Sequence, residues 1–187
     1  ANMADPEDWV DPLRGYAYDS INRDALFRLA RVNNGRIELP GGASYGLLII
    51  PGRRPMAPNG HHLSPALLDR LRELAAAGAT VMVDEETGLA DRDTGSEGFR
   101  FVRAPYSGES FASLGIERDL WIADSQGRYA GDVAWTHRRG DGVDLYFVSN
   151  QRDTPRVLNL SFRVSGRAPE LWNPVTGEMA PARTWHI

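Results

Sequence analysis

Cysteine is absent from this 187-residue chain, which excludes a disulfide framework, a thiolate metal site and a thiol nucleophile. Long apolar runs are missing too. The longest, Leu47 to Ile50, falls far short of the roughly 20 residues that cross a bilayer. No basic-then-apolar segment of the secretory kind opens the sequence, and the chain is expected to be soluble. Positive charge is not in excess: 21 basic against 25 acidic residues leave a net charge of -4. That balance supplies no cationic field to release counterions from a nucleic acid. Neither a nucleic acid nor a membrane is therefore expected as a partner, and no cofactor is indicated.

What is present reads as an ordinary folded protein, 42% hydrophobic and 25% charged, long enough for one large or two small cores. Residues 1 to 18, with Pro6, Trp9, Pro12, Gly15 and Tyr16, show no period and read as an arm that must dock its aromatics. Ser20 is placed to cap a helix running to about Val32, ended by Asn33-Asn34-Gly35 and followed by a short strand from Arg36 to Leu39. Tyr45 to Ile50 is a continuous apolar run stopped by Pro51-Gly52, the pattern of a central strand covered on both faces.

Ser64 and Pro65 then supply an N-cap and a proline at the first helical position. Leu67, Leu68, Leu71, Leu74 and Ala75 fall on one helical face, and Gly78 closes the helix. A strand over Thr80–Val83 follows at once, so strand, helix and strand have the spacing of a right-handed crossover with parallel strands. Residues 84 to 98 read as a polar surface loop, Phe99–Val102 as a further strand and Glu109–Leu114 as a short helix.

Beyond about Arg118 the period becomes two. Val133, Trp135 and His137 alternate with Ala134, Thr136 and Arg138; Gly140-Asp141-Gly142 turns the chain into Leu145–Val148. Val157–Val164 alternates again, Leu171-Trp172 follows, and Pro174-Val175-Thr176-Gly177 turns toward a last strand near Met179–Trp185. The expected organisation is an α/β domain over 1–117, carrying the amino-terminal arm, and an antiparallel β-sandwich over 118–187.

Several motifs invite a catalytic reading. Gly42-Ala43-Ser44-Tyr45-Gly46 matches the spacing of a serine-hydrolase elbow, but an elbow places its serine between a strand and a helix, and Ser44 precedes a strand. A turn is the better reading, with a hydrolase built on Ser44 as the least favoured function. Asp84, Glu85 and Glu86 sit just past the end of a parallel strand, where open α/β sheets place ligands. Glycosidic acid and base work needs two carboxyls held across a sugar, whereas adjacent residues on a polar loop read as a solvated acidic stretch. His61-His62 has no third ligand at metal spacing. His137 reads as a half-buried or surface strand residue without a nameable partner. Trp121, Trp135, Trp172 and Trp185 are suited either to sugar stacking or, more commonly at alternating strand positions, to core packing.

Taken in order, several runs resemble one family. They are Tyr18–Leu26; Leu39-Pro40-Gly41-Gly42-Ala43-Ser44-Tyr45 leading into Leu47–Pro51; Leu63-Ser64-Pro65 with Leu71–Leu74 and Ala77–Val81; Tyr146–Asn150; and Phe162–Gly177, which contains Glu170-Leu171-Trp172-Asn173-Pro174-Val175-Thr176-Gly177. They are similar to the part of glycoside hydrolase family 106, the α-L-rhamnosidase type, that follows the catalytic barrel, and they cover most of residues 18 to 178. The resemblance implies a truncated amidotransferase-like, flavodoxin-like parallel sheet followed by the β-sandwich. Of the whole family it implies inverting hydrolysis of terminal α-L-rhamnose by two carboxylic acids and a calcium ion in a (β/α)-barrel. None of those barrel positions has a match here, so no catalytic residue, metal ligand or cofactor contact is carried over, and the chain alone is expected to be inactive. A non-catalytic accessory role, in packing, assembly or distal substrate contact, is the leading expectation, with a free-standing carbohydrate-binding module as the alternative. Its partners would be the catalytic barrel of a parent chain, a second copy, or a rhamnose-containing carbohydrate. The family likeness also implies export, to a periplasmic or secreted location.

Overall fold

The computed structural model describes residues 13–53, 59–89, 98–102 and 111–186. They divide into two compact units, one over residues 18–117 and the other combining 13–17 with 118–186. The first part of the arm, including Pro6, Trp9 and Pro12, and the start of the helix expected at Glu109 lie outside the described residues.

In the first unit Asn22, not Ser20, caps the opening helix: its Oδ1 accepts from Ala25 N at 2.8 Å, and α1 spans only Arg23–Arg28. The expected extension to Val32 fails because Arg31–Asn33 forms a strand, β1, antiparallel to β2, Arg36–Glu38. Between them Asn34 and Gly35 both have positive φ, 48° and 74°, the two-residue turn that Asn-Gly favours. The dipeptide that looked like a helix stop is a hairpin turn.

The run from Tyr45 to Ile50 also departs from expectation. It is not one central strand but two edges. Ser44–Tyr45 (β3) pairs antiparallel with β2, and Leu48–Ile50 (β4) pairs in parallel with β5, Val81–Asp84. The chain changes sheets at Gly46-Leu47. The central position belongs to β5, all four residues buried, with β6, Phe99–Val102, parallel on its other side. Linking β4 to β5 is α2, Pro65–Ala76, as the sequence indicates. Ser64 Oγ accepts from Leu67 N at 3.3 Å, and Leu71 and Leu74 are buried against β5, Ile37 and Leu26 in a single core. Burying each leucine contributes about 1.5–3 kcal/mol. Arg70 ties the two helices together, donating to Leu26 O at 3.2 Å and to Ala30 O at 2.8 Å, so a guanidinium satisfies carbonyls at the end of α1.

Among its described residues the second unit holds three two-stranded antiparallel sheets: β7 (Leu120–Ala123) with β10 (Asn159–Phe162), β8 (Val133–Gly140) with β9 (Val143–Asn150), and β11 (Glu170–Trp172) with β12 (Met179–Pro181). Asp141 and Gly142, φ 44° and 80°, close the β8–β9 hairpin, which runs through unbroken pairs from Gly140↔Val143 to Val133↔Asn150. Leu13–Ala17 belongs here rather than with the α/β unit, because Gly15 O accepts from both Asp119 N and Leu120 N, at 2.9 and 3.0 Å. Gly15 has φ 89°, and a Cβ on it would lie 1.7 Å from Leu120 O, so only glycine permits the approach. The core is small: Leu120, Ile122, Ala130 and Val133, flanked by Trp135, Tyr146 and Val148. Beyond Val133 no described hydrophobic side chain is buried.

Candidate functional site

Among the described residues, a polar cluster in each unit gathers ionisable side chains singled out in the sequence. In the first, Asp84 ends β5 with its side chain inaccessible to solvent. Its Oδ1 accepts from Glu86 N at 3.0 Å and its carbonyl from Thr87 Oγ1 at 2.8 Å. It thereby caps a 3-10 turn over Glu85–Thr87, which Gly88 ends with φ 65°. The expectation of a wholly solvated acidic stretch is thus corrected at Asp84, while Glu85 and Glu86 remain exposed. Glu86 reaches back to accept from Arg53 N at 3.2 Å, over Gly52, where a Cβ would meet Glu86 Oε2 at 2.9 Å and Asp84 Cγ at 3.2 Å. Asp84 and Glu86 each hold a backbone N–H on the loops they brace.

The second cluster centres on His137, whose side chain is 10% exposed. Nδ1 faces Asp119 Oδ2 at 2.8 Å and Nε2 faces Asp144 Oδ1 at 3.0 Å. Its ring lies flat on Tyr146, centroids 4.1 Å apart and planes within 5°. The Tyr146 hydroxyl donates to Asp119 Oδ1 at 3.0 Å, and Arg163 donates to the same oxygen at 3.0 Å. On the other side Arg139 donates to Asp144 Oδ1 at 2.8 Å, and Arg167 approaches Oδ2 at 3.1 Å. Hairpin register explains half of this. His137 stands opposite Tyr146 and Arg139 opposite Asp144, all on the inner face, while Asp119 and Arg163 arrive from the flanks of β7 and β10.

The electrostatics follow from these contacts. Burial, then the charge of Asp119 and the bond to it, push the Tyr146 phenol well above its usual range. The Arg139 hydrogen bond, aided by His137 and working against burial, holds Asp144 below the usual carboxylate range. Two histidine nitrogens facing two carboxylates look like catalytic furniture, but a general base needs a nitrogen within reach of a substrate proton. Both of these are engaged, and Tyr146 is stacked on one face of the ring. The cluster is built to hold β7, β8, β9 and the end of β10 together.

The remaining sequence candidates lie apart. Ser44 is in β3, its Oγ accepting from Arg36 Nε at 2.8 Å, and β4 rather than a helix comes next. His61 and His62 pack ring to ring, 3.8 Å apart, and no group of three metal-ligating side chains occurs among the described residues. The tryptophans split. Trp135 packs on the second core; Trp121 packs against Tyr129, ring centres 4.8 Å apart and planes tilted by 43°, with the Arg118 guanidinium 4.5 Å from its ring centre. Trp172 and Trp185 are open to solvent at 57% and 46%.

A family model described as alpha-L-rhamnosidase matches residues 6–186. The chain belongs to the alpha-L-rhamnosidase family. Within that family it is a partial stretch. A curated Formosa agariphila protein, provisionally named a beta-glucuronidase, is 25% identical over 183 residues, covering 91% of this chain and 15% of its own length. The solved rhamnosidase of Novosphingobium sp. PP1Y superimposes with a TM-score of 0.70 at 24% identity, over 94% of this chain and 18% of that one. This rhamnosidase-family chain thus shares the fold of a small part of a much longer enzyme. No helix among its described residues is long and apolar enough to cross a membrane.

Proposed function

We propose that this chain is a non-catalytic accessory region of an α-L-rhamnosidase-like glycosidase, serving packing and assembly. The observation that carries the reading is the employment of its best-placed acids. Asp84 and Glu86 bind backbone N–H groups, and Asp119 and Asp144 are spent on His137, Tyr146 and arginines. Glycosidic cleavage asks for two carboxyls facing each other across a substrate. The chain spans 15% and 18% of the two proteins named above, in keeping with chemistry performed elsewhere in a longer polypeptide. On this reading the first unit is a trimmed amidotransferase-like sheet and the second a β-sandwich. Apolar side chains left open after Val133, such as Leu171, Val175 and Met179 at 64%, 90% and 65%, suit a face that packs on more protein.

Incubation of the purified chain with an aryl α-L-rhamnoside tests the proposal. No turnover above buffer is expected; turnover that disappears in Glu85→Gln or Glu86→Gln would overturn it. One observation favours a second reading, contact with carbohydrate: the exposed Trp172 indole is oriented by a hydrogen bond from Nε1 to Glu170 Oε2 at 3.3 Å. An aromatic face complements the apolar face of a pyranose. Calorimetric titration with rhamnose-rich oligosaccharides separates the two, since silence at millimolar sugar removes the second.

A further inference from the structure

His137 has a carboxylate at each ring nitrogen, Asp119 Oδ2 at Nδ1 and Asp144 Oδ1 at Nε2, 2.8 and 3.0 Å away. An ionised carboxylate only accepts, whereas a neutral imidazole has one N–H to give and one lone pair. A neutral ring would therefore set a lone pair against a carboxylate oxygen at hydrogen-bond distance. Water has little room to soften that clash, because the side chains of His137, Asp119 and Asp144 are 10%, 4% and 6% exposed. Both acids are supported as anions. The Arg139 hydrogen bond, opposed by burial, holds Asp144 below the usual carboxylate range, and Asp119 Oδ1 accepts from Tyr146 and Arg163.

The charged groups around the ring are thus Asp119 before β7, Arg139 of β8, Asp144 of β9, and Arg163 and Arg167 beyond β10, with the Tyr146 phenol stacked on one face. The three guanidiniums oppose a further positive charge, but each is directed at a carboxylate, and none lies between a ring nitrogen and its oxygen. The two nitrogens are not equivalent. Among the described residues Asp119 Oδ2 has His137 as its donor, while Asp144 Oδ1 also accepts from Arg139 and Asp144 Oδ2 is faced by Arg167. The shorter bond, to the oxygen with no other donor, is the one to survive when a single proton remains.

We propose that His137 is a proton-operated latch: doubly protonated it joins Asp119 to Asp144, and on losing a proton it keeps Nδ1–H on Asp119 and releases Asp144. Asp144 adjoins Val143, which pairs with Gly140 across the turn, and Arg167 joins Asp144 to the Gly142 carbonyl. Repulsion from a bare Nε2 therefore loosens the hairpin tip and its fastening to the segment after β10. The Asp119 contact still holds the ring on β7, and Arg139 remains with Asp144, so the rest of the hairpin stays closed. The latch is independent of whether the chain is catalytic.

Nitrogen-resolved NMR of the imidazoles in the intact chain tests it from about pH 5 to about pH 9, either side of the ordinary histidine value of about 6.5. His137 is identified by its proximity to the Tyr146 ring, 4.1 Å between centroids. Both nitrogens are expected to be protonated at the acid end. As pH rises Nε2 becomes bare and Nδ1 keeps its proton, the reverse of free histidine. Over the same step, hydrogen-exchange protection of the Gly140 and Val143 amides at the turn is expected to fall about tenfold, the worth of one charge-assisted hydrogen bond. Ala134 and Ser149, paired at the far end, keep theirs. In Asp144→Asn the carboxamide turns either its oxygen or its NH2 group to Nε2, so tip protection is expected not to change across the range. Retention of the Nε2 proton instead, one bare nitrogen already at the acid end, or a doubly protonated ring throughout overturns the proposal. So does tip protection that stays constant in the unaltered chain or falls equally in Asp144→Asn. The measurements on the unaltered chain need no variant to fold, and rhamnoside turnover enters none of them, so this proposal and the accessory reading fail separately.

Discussion

Asp119 shows how much a single side chain organises. Its side chain is 4% exposed and takes His137, Tyr146 and Arg163 at 2.8, 3.0 and 3.0 Å, while its carbonyl accepts from Arg163 N at 3.0 Å. Removing one partner from a buried charged network strands the others in low dielectric. Asp119→Ala is therefore expected to cost about 3–5 kcal/mol, read by urea unfolding followed through tryptophan emission. A loss under about 1 kcal/mol would show the network to be idle. Half of this network was within reach of the sequence: once Asp141-Gly142 is recognised as a two-residue turn, the register sets His137 against Tyr146 and Arg139 against Asp144. Asp119 and Arg163 were not, since they meet the hairpin only through the β7–β10 pairing, and no local pattern encodes that.

Elements whose signals are local and redundant were the legible ones. In α2 the cap, the proline and the leucine face all agree, and the helix runs Pro65–Ala76 as its residues indicate. Ser64→Ala removes only the bond to Leu67 N, so it is expected to cost about 1 kcal/mol, visible as a small shift in the thermal midpoint with no change in helical signal. The first helix failed for the opposite reason. Arg31 and Val32 continue a helical face as well as they begin a strand, and the contest is decided by pairing with Arg36–Glu38, information that sits across the turn. The Tyr45–Ile50 run likewise hides a change of sheet, because apolar content reports burial and not which neighbour supplies it.

At the scale of the whole molecule, acid separates the two units. Asp144 is held low chiefly by Arg139. Asp132 feels burial working to raise it, yet the hydrogen bonds from Arg156 and Arg152 prevail and lower it. A carboxylate with a depressed folded value stabilises fully above the unfolded value, about 3.9, and loses that contribution as pH falls through the folded one. The near-UV signal of the second unit is thus expected to hold from pH 7 to about pH 5 and to collapse below about pH 4. Asp132→Asn should lower stability at neutral pH and flatten the acid slope; parallel slopes for the variant and the parent would contradict the assignment. The first unit, resting on an apolar core around Leu71, Leu74, Val81 and Val83, has less to lose.

The second unit is discontinuous in sequence. Leu13–Ala17 supplies the carbonyl that receives Asp119 and Leu120, and a hundred intervening residues, 18 to 117, form the other unit. A gene cut neatly after position 117 would orphan those two amides just where the charged network begins. Shuffling or expressing this unit as a free piece therefore requires the upstream pentapeptide to travel with it, either at its head or grafted onto a rejoined loop.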